Sequence, residues 1–266
     1  MAETTLRKDL LESLKRLHLP GFRACFEEQA RKAENENWSY ENYLWALTEQ
    51  ECQERDLRRR IMFERESGLP HGKRLENFEQ ARLSRRVKQQ VHSLLTGEFC
   101  GRHENVLAFG NPGSGKTHLL SAIGHELIQK GIRVYFAPCS LFVQDLLRAK
   151  AELKLGKHFK KLQKFEVVIL DDLGYVQQTQ EEMEVLFTFF AERYEKGSVM
   201  LSSNLPFSHW EKIFKNPMVT AAAIDRLVHH SVILELNLPS FRMEQAQNNN
   251  REDILHQEGD VQNREF

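Results

Sequence analysis

The sequence predicts an α/β fold, a parallel β-sheet flanked by helices, preceded by a small all-helical N-terminal domain. Three observations predict it. From about residue 100 onward, short and nearly continuous apolar runs alternate with segments of helical periodicity; a glycine-rich loop joins the first run to the first such segment; and up to about residue 66 helical spacing occurs alone. Strands that are apolar on both faces need cover on both faces, which a parallel sheet with helical crossovers supplies.

In the N-terminal part, Leu6, Leu10, Leu11, Leu14 and Leu17 recur at three-to-four spacing and stop at His18-Leu19-Pro20-Gly21, which predicts a short first helix. Phe22 to Ala33 predicts a second. Ser39, with Asn42 three residues on and then Tyr43, Leu44 and Leu47, reads as the N-cap of a third helix that continues through Glu49 to Arg65. Along it Arg55, Arg58, Arg59 and Arg60 alternate with acids, either as an exposed face laced with ion pairs or as an arginine row turned to DNA. Ser67-Gly68-Leu69-Pro70-His71-Gly72 breaks the periodicity and is the expected boundary between a domain of residues 1–68 and one of residues 69–240.

The second domain is expected to run strand Val106–Phe109, helix Thr117–Lys130, strand Val134–Phe136, one long helix from Ser140, strand Val167–Leu170, helix Glu181–Tyr194, strand Val199–Ser203 and strand Val232–Leu236. After Pro239 the chain turns Asn/Gln-rich and charged, so residues 241–266 are expected to form a flexible tail.

Composition removes several classes of function. The chain has 266 residues, 41% hydrophobic and 28% charged, which is ordinary for a globular protein with room for a substantial core. No run approaches the roughly 20 apolar residues that cross a bilayer, and the start, with Glu3, Arg7, Lys8 and Asp9, lacks an apolar signal segment, so a cytoplasmic protein without a membrane partner is expected. Cys25, Cys52, Cys100 and Cys139 form no C-x-x-C pair, and the adjacent His229 and His230 would point apart on either a helix or a strand. A site built only of protein ligands for a metal is therefore not expected. The net charge of -1 conceals a stripe in which Arg148, Lys150, Lys154, Lys157, Lys160, Lys161 and Lys164 face only Glu152. Such a stripe is either a solvated helix face or a contact for a phosphate backbone.

The glycine-rich loop carries the chemistry. Gly110-Asn111-Pro112-Gly113-Ser114-Gly115-Lys116-Thr117 fits the pattern G-x-x-x-x-G-K-S/T between an apolar strand and a helix, and His118 follows it. In such a loop the glycines let backbone N–H groups face phosphate oxygens, the lysine reaches the terminal phosphates, and the hydroxyl holds Mg²⁺. Binding of a nucleoside triphosphate is expected, with residues 110–118 lining it. Val167-Val168-Ile169-Leu170-Asp171-Asp172, an apolar strand ending in two acids, is the element such a loop requires downstream. Asp171 is expected to reach the metal beside Thr117, and Asp172 to polarise the attacking water. Asn204, at the end of the strand that closes in Ser202-Ser203, is expected to orient that water or read the γ-phosphate. Arg226, after the small-residue run Thr220-Ala221-Ala222-Ala223, is the candidate for a positive charge presented to a neighbouring subunit, set against a plain surface pairing with Asp225.

With these residues assembled, the chain resembles the AAA+ ATPases, in the branch containing the helicase loader DnaC and the IstB-type helper proteins of insertion sequences, and is more similar to the latter. The likeness rests on residues 15–21, the Leu75-Glu76-Asn77-Phe78 approach, GNPGSGKTHL, ILDDLG at 169–174, SSN at 202–204 and IDRL at 224–227. It implies ATP and Mg²⁺ as cofactors, with Lys116, Thr117, Asp171, Asp172, Asn204 and Arg226 as phosphate ligand, metal ligands, water-activating acid, sensor and trans-acting finger. It further implies an ATPase that oligomerises on duplex target DNA and recruits or stimulates a cognate transposase, hydrolysis taking the complex apart. The helix Ser140–Leu162 would be the element that touches DNA. A DnaC-like helicase loader and an ATP-binding adaptor that ignores DNA are the alternatives. Two departures stand out: Asp171-Asp172 replaces the commoner Asp-Glu, which implies slow turnover, and the little ordered-looking sequence after Leu238 implies no C-terminal helical lid.

Overall fold

A computed structural model describes residues 2–174, 179–210 and 217–241. The chain divides into two compact units, Met1–Met62 and Phe63–Phe266. The expected tail, residues 241–266, and the expected lack of a lid after Leu238 lie outside the described residues apart from their first positions, up to Phe241.

The first unit is built from α1 (Ala2–Arg16), α2 (Pro20–Asn35) and the greater part of α3 (Tyr40–Ser67). Pro20 opens α2, where its missing N–H costs nothing and its fixed φ suits the first turn. The Ser39 hydroxyl accepts the Asn42 N–H at 3.2 Å, the cap that the sequence indicates for α3. Leu14, Cys25 and Leu47 form the buried centre, and Glu51, 4% exposed, ties α3 to the start of α2 by accepting the Gly21 N–H at 2.7 Å. Burial pushes the Glu51 carboxyl up, but bonds from Arg55, Gly21 and Phe22 outweigh it and hold the group below its ordinary value.

In the second unit α4 (Arg85–Leu95) and the single-turn α5 (Glu98–Gly101) precede the sheet. The strands are β1 (Asn105–Gly110), β2 (Val134–Pro138), β3 (Val167–Leu173), β4 (Ser198–Ser203) and β5 (Ser231–Leu236), and the helices between them are α6 (Lys116–Gln129), α7 (Cys139–Ala151), α8 (Leu155–Leu162), α9 (Gln180–Arg193) and α10 (Pro217–Val228). All strand pairs are parallel in the order β2-β3-β4-β1-β5. Successive residues in a strand face opposite sides, so one run of apolar residues supplies two cores. Val106, Ile169 and Met200 pack with Leu120 and Ile123 of α6, whereas Leu107, Leu170 and Leu201 pack with Phe142 of α7 and Phe189 of α9. Both layers of the expected α/β fold are present.

One expected element is corrected. The basic stretch is not a single helix from Ser140 to Leu162 but two helices, α7 and α8, joined at Leu153, whose φ is 55°. There the Leu153 N–H donates to Lys150 O at 3.0 Å and the Lys154 N–H to Ala149 O at 2.7 Å, the double closure that ends a helix. A straight helix over that span would be about 34 Å long and would carry its far end off the sheet. The break lets Phe159 and Leu162 join the same core as Phe142 and Leu146.

Arg193 holds the lower edge of this layer together. Its guanidinium is buried and donates to four carbonyls, those of Leu162, Phe165, Glu166 and Ser198, at 2.8 to 3.3 Å. Burial pushes its pKa down to about 10.

Candidate nucleotide site

The carboxyl ends of parallel strands leave a crevice where loops and helix starts converge. Here β1 ends at Gly110 and α6 begins at Lys116, so the glycine-rich loop lies on that edge. Gly115 has φ 95°, and a Cβ there would stand 3.0 Å from the Phe78 ring, so both the backbone and the space call for glycine. Gly113, at φ 80°, packs against Ser240 in the same way. The first N–H groups of α6 stand outside its intrahelical ladder, and the helix dipole adds positive potential at that end.

Lys116 is 4% exposed, and its Nζ donates to Gly110 O at 2.8 Å and Asn111 O at 3.0 Å, which curls the ammonium over the loop. Ser114 is buried with its hydroxyl lacking a hydrogen-bond partner among the described residues, and the same holds for Asn204 Oδ1. A buried polar atom left this way costs roughly 1–3 kcal/mol unless a ligand or water meets it. These orphaned atoms, with the loop geometry, fit a phosphate-bearing ligand.

The two acids are placed by a serine. Ser202 of β4 donates to Asp171 Oδ1 at 2.5 Å while its oxygen accepts the Asp172 N–H at 2.8 Å. Asp171 is thereby held, 7% exposed, behind the crevice, whereas Asp172 adopts φ 61° and its side chain lines the cavity. Aspartate tolerates that left-handed conformation better than most residues. The bulge in β3–β4 pairing between Leu170 and Leu173 accompanies this turn. Among the described residues no three His, Cys, Asp or Glu side chains gather as a metal site. Thr117 and Asp171 are instead the kind of hard oxygen donors that hold Mg²⁺ together with phosphate oxygens.

The cavity measures about 380 Å³, within the range of small-ligand sites. The loop forms one wall, with Thr117, Asp172 and Asn204 opening into it; Phe78 and Arg82, from the segment before α4, and Leu238 and Phe241, after β5, form the other. The Phe78 ring meets the His118 ring edge-on at 5.2 Å, and His118 Nε2 lies 2.9 Å from Arg74 O. Arg82 donates to Pro239 O at 3.0 Å and stands 5.2 Å over the Phe241 ring, while the Phe241 N–H donates to Gly113 O at 3.1 Å. These wall residues escape a reading of the sequence. They come from stretches far apart in the chain, and although Phe78 closes the Leu75-Glu76-Asn77-Phe78 approach, nothing in that stretch marks it as a wall of the cavity.

Arg226 is the one candidate kept apart from the loop. It lies in α10 with its guanidinium 5.0 Å over Phe187 and one nitrogen donating to Ala222 O at 3.0 Å. Its own carbonyl and that of Leu227 accept from Asn105, the first residue of β1, so it stands at the opposite strand end from Gly110. An arginine there cannot reach its own phosphate loop.

The basic stripe is partly neutralised. Arg148 pairs with Asp145 at 3.5 Å, Lys154 with Glu152 at 2.8 Å and Lys150 with Glu184 at 3.8 Å, while Lys157, Lys160, Lys161 and Lys164 form no ion pair among the described residues. In the arginine row of α3, Arg55 meets Glu51, Arg58 meets Glu54 and Arg59 meets Asp56, the pattern of an exposed face laced with ion pairs.

Comparison with known proteins agrees with this geometry. A putative insertion sequence ATP-binding protein of Sinorhizobium fredii is 41% identical over 231 residues, covering 86% of this chain and 78% of that protein. The putative ATP-binding protein of insertion sequence IS5376 from Geobacillus stearothermophilus is 34% identical over 238 residues, covering 90% and 95%. Among solved structures, AMPPCP-bound DnaA from Aquifex aeolicus matches with a TM-score of 0.55 at 19% identity, over 68% of this chain and 56% of that one, a likeness of fold in the parallel sheet and its flanking helices. Residues 12–249 match the profile of the IstB-like ATP-binding proteins, and it is to that family that the chain belongs.

Proposed function

We propose that this protein is a Mg²⁺-dependent ATPase that assembles on duplex DNA in its ATP-bound state, engages a transposase of the same insertion sequence, and disassembles on hydrolysis. What supports it most is the convergence, on one strand edge, of the phosphate loop, two acids held by Ser202, and two buried polar atoms, Ser114 Oγ and Asn204 Oδ1, that await a partner. The names of the relatives attach them to insertion sequences, which favours transposition over helicase loading.

In this reading Lys116 leaves the Gly110 and Asn111 carbonyls for the β- and γ-phosphates, and residues 110–118 cradle the phosphates through backbone N–H groups. Thr117 and Asp171 would hold Mg²⁺, whose charge would offset that developing on the phosphate oxygens. Asp172 takes up the proton side of the attacking water, and Asn204 Oδ1 accepts a hydrogen bond that fixes its position. Arg226 acts on the site of a neighbouring copy. Lys157, Lys160, Lys161 and Lys164 meet DNA phosphates, and the work is done in the cytoplasm, where DNA and ATP are at hand.

The test is duplex-DNA binding by fluorescence anisotropy with ATP, ADP or no nucleotide, at two salt concentrations, alongside sizing of the complex. Tight, salt-sensitive binding and a large assembly are expected with ATP alone, and Lys116→Ala should lose both together with ATP binding while remaining folded. DNA ignored in every nucleotide state would leave an ATP-binding adaptor in its place.

A further inference from the structure

The turn between α7 and α8 contains a residue that local physics disfavours twice. Leu153 has φ 55°, a conformation that glycine or asparagine adopts at a helix end and a leucine adopts only under strain. Its side chain is also 95% exposed, in the short turn between the two helices. The other non-glycine residues with positive φ among those described are His18, Asn37, His103, Asp172 and Glu195, all polar. Folding alone would place glycine or asparagine at 153, closing α7 equally well without presenting an isobutyl group to water. A residue that breaks the local rule without gain to the fold marks a functional position.

The surroundings indicate what the group meets. At the base of the turn, α7 and α8 enclose a cleft lined by Arg148, Lys154, Lys157 and Lys161, with Asp145 and Glu152 as the only acids in its wall. Those acids are taken up by Arg148 and Lys154, which leaves Lys157 and Lys161 facing out beside the apolar tip. An apolar tip with cations behind it is complementary to a duplex groove: cations meet the phosphates, and an aliphatic group enters between base pairs. Leucine offers no donor or acceptor for reading base edges in the major groove, and it belongs to the apolar residues that wedge into minor-groove steps.

We infer that Leu153 is a wedge that inserts into the minor groove of bound duplex DNA and unstacks a base step, while Lys157 and Lys161 hold the flanking phosphates. The inference rests on the proposed DNA binding and adds to it a distortion of the duplex at each contact, independent of base sequence. The left-handed turn has a purpose in this arrangement: it ends α7 abruptly and leaves the side chain standing clear of both helices.

The test uses the full chain with ATP and short duplexes carrying 2-aminopurine at successive positions, whose fluorescence rises on unstacking. Wild type is expected to raise it several-fold at one or more positions. Leu153→Asn keeps a residue suited to the turn, so thermal unfolding should be unchanged or later, and it should lose most of the fluorescence rise with the salt slope of binding unaltered. Lys157→Ala with Lys161→Ala should instead reduce the salt slope by about 1 to 2. The wedge is overturned if wild type binds without unstacking any position, or if Leu153→Asn unstacks as wild type does. It is equally overturned if Leu153→Asn weakens self-association of the ATP-bound protein without DNA, since the leucine would then pack between copies. A wild-type protein that binds no duplex at all removes the DNA reading itself and this inference with it.

Discussion

Ser202 sits inside a buried strand, with no local sequence feature to set it apart from Ser203 beside it. Its hydroxyl is nevertheless the group that fixes both acids of the site, donating to Asp171 Oδ1 and accepting the Asp172 N–H. A bond to a carboxylate is stronger than one between neutral groups, and a partner behind a metal ligand commonly sets metal affinity by 10- to 100-fold. Ser202→Ala should therefore raise the Mg²⁺ concentration for half-maximal ATP hydrolysis and lower kcat, both by about tenfold or more, with little change in ATP affinity; it should cost about 1–2 kcal/mol in unfolding. Titrating Mg²⁺ at saturating ATP separates the two roles: a variant destabilised yet unchanged in Mg²⁺ dependence would leave Ser202 a structural residue only. Lys116, Thr117 and Asp171 are legible in the sequence because the chemistry of the loop and the acid pair is contiguous. Ser202 and Phe78 are not, since one works across a strand pair and the other from before α4.

At the scale of elements, ends matter more than interiors. The start of α9 carries a reciprocal cap: the Thr179 hydroxyl accepts the Glu182 N–H at 3.3 Å and the Glu182 carboxylate accepts the Thr179 N–H at 2.6 Å. This fixes where α9 begins, and so where Phe189 and Phe190 enter the core and Arg193 reaches its four carbonyls. Thr179→Ala should cost about 1 kcal/mol in urea denaturation, and adding Glu182→Ala should cost distinctly less than the sum of the two single changes, because the two bonds share one cap. Full additivity would show that the cap does not act as a unit. Helix and strand identities were readable because their apolar periods are long and clean. The break at Leu153 was not, because a leucine among lysines continues a helical pattern, and only the pull of Phe159 and Leu162 toward the sheet shows that the chain must turn there.

For the molecule as a whole, the parallel sheet separates the phosphate loop from Arg226 by its own length. The phosphate loop, Asp171 and Asn204 stand at the carboxyl edge, and Arg226 at the other, bound over Phe187. A site that needs Arg226 must obtain it from another copy. Arg226→Ala should therefore reduce ATP hydrolysis by about 10³-fold while ATP binding is retained. Mixed with Lys116→Ala, which lacks a working phosphate loop but keeps its arginine, it should regain hydrolysis that neither variant has alone. If the mixture stays silent, or Arg226→Ala alone hydrolyses as wild type does, the trans arrangement is wrong.

The sequence by itself determined the class of fold, the order of strands along the chain, the phosphate loop and the acid pair, because each of these is specified by neighbours within a few residues: apolar period, glycine spacing, a strand ending in acids. Only the tertiary structure decided which strand lies beside which, that Ser202 holds both acids, that Phe78, Arg82 and Phe241 wall the cavity, that Arg226 faces away from its own site, and that the basic stretch folds back at Leu153. Those features depend on contacts between residues tens to more than a hundred positions apart, which are settled when apolar surfaces on both faces of the sheet are buried together and no local pattern records the partner.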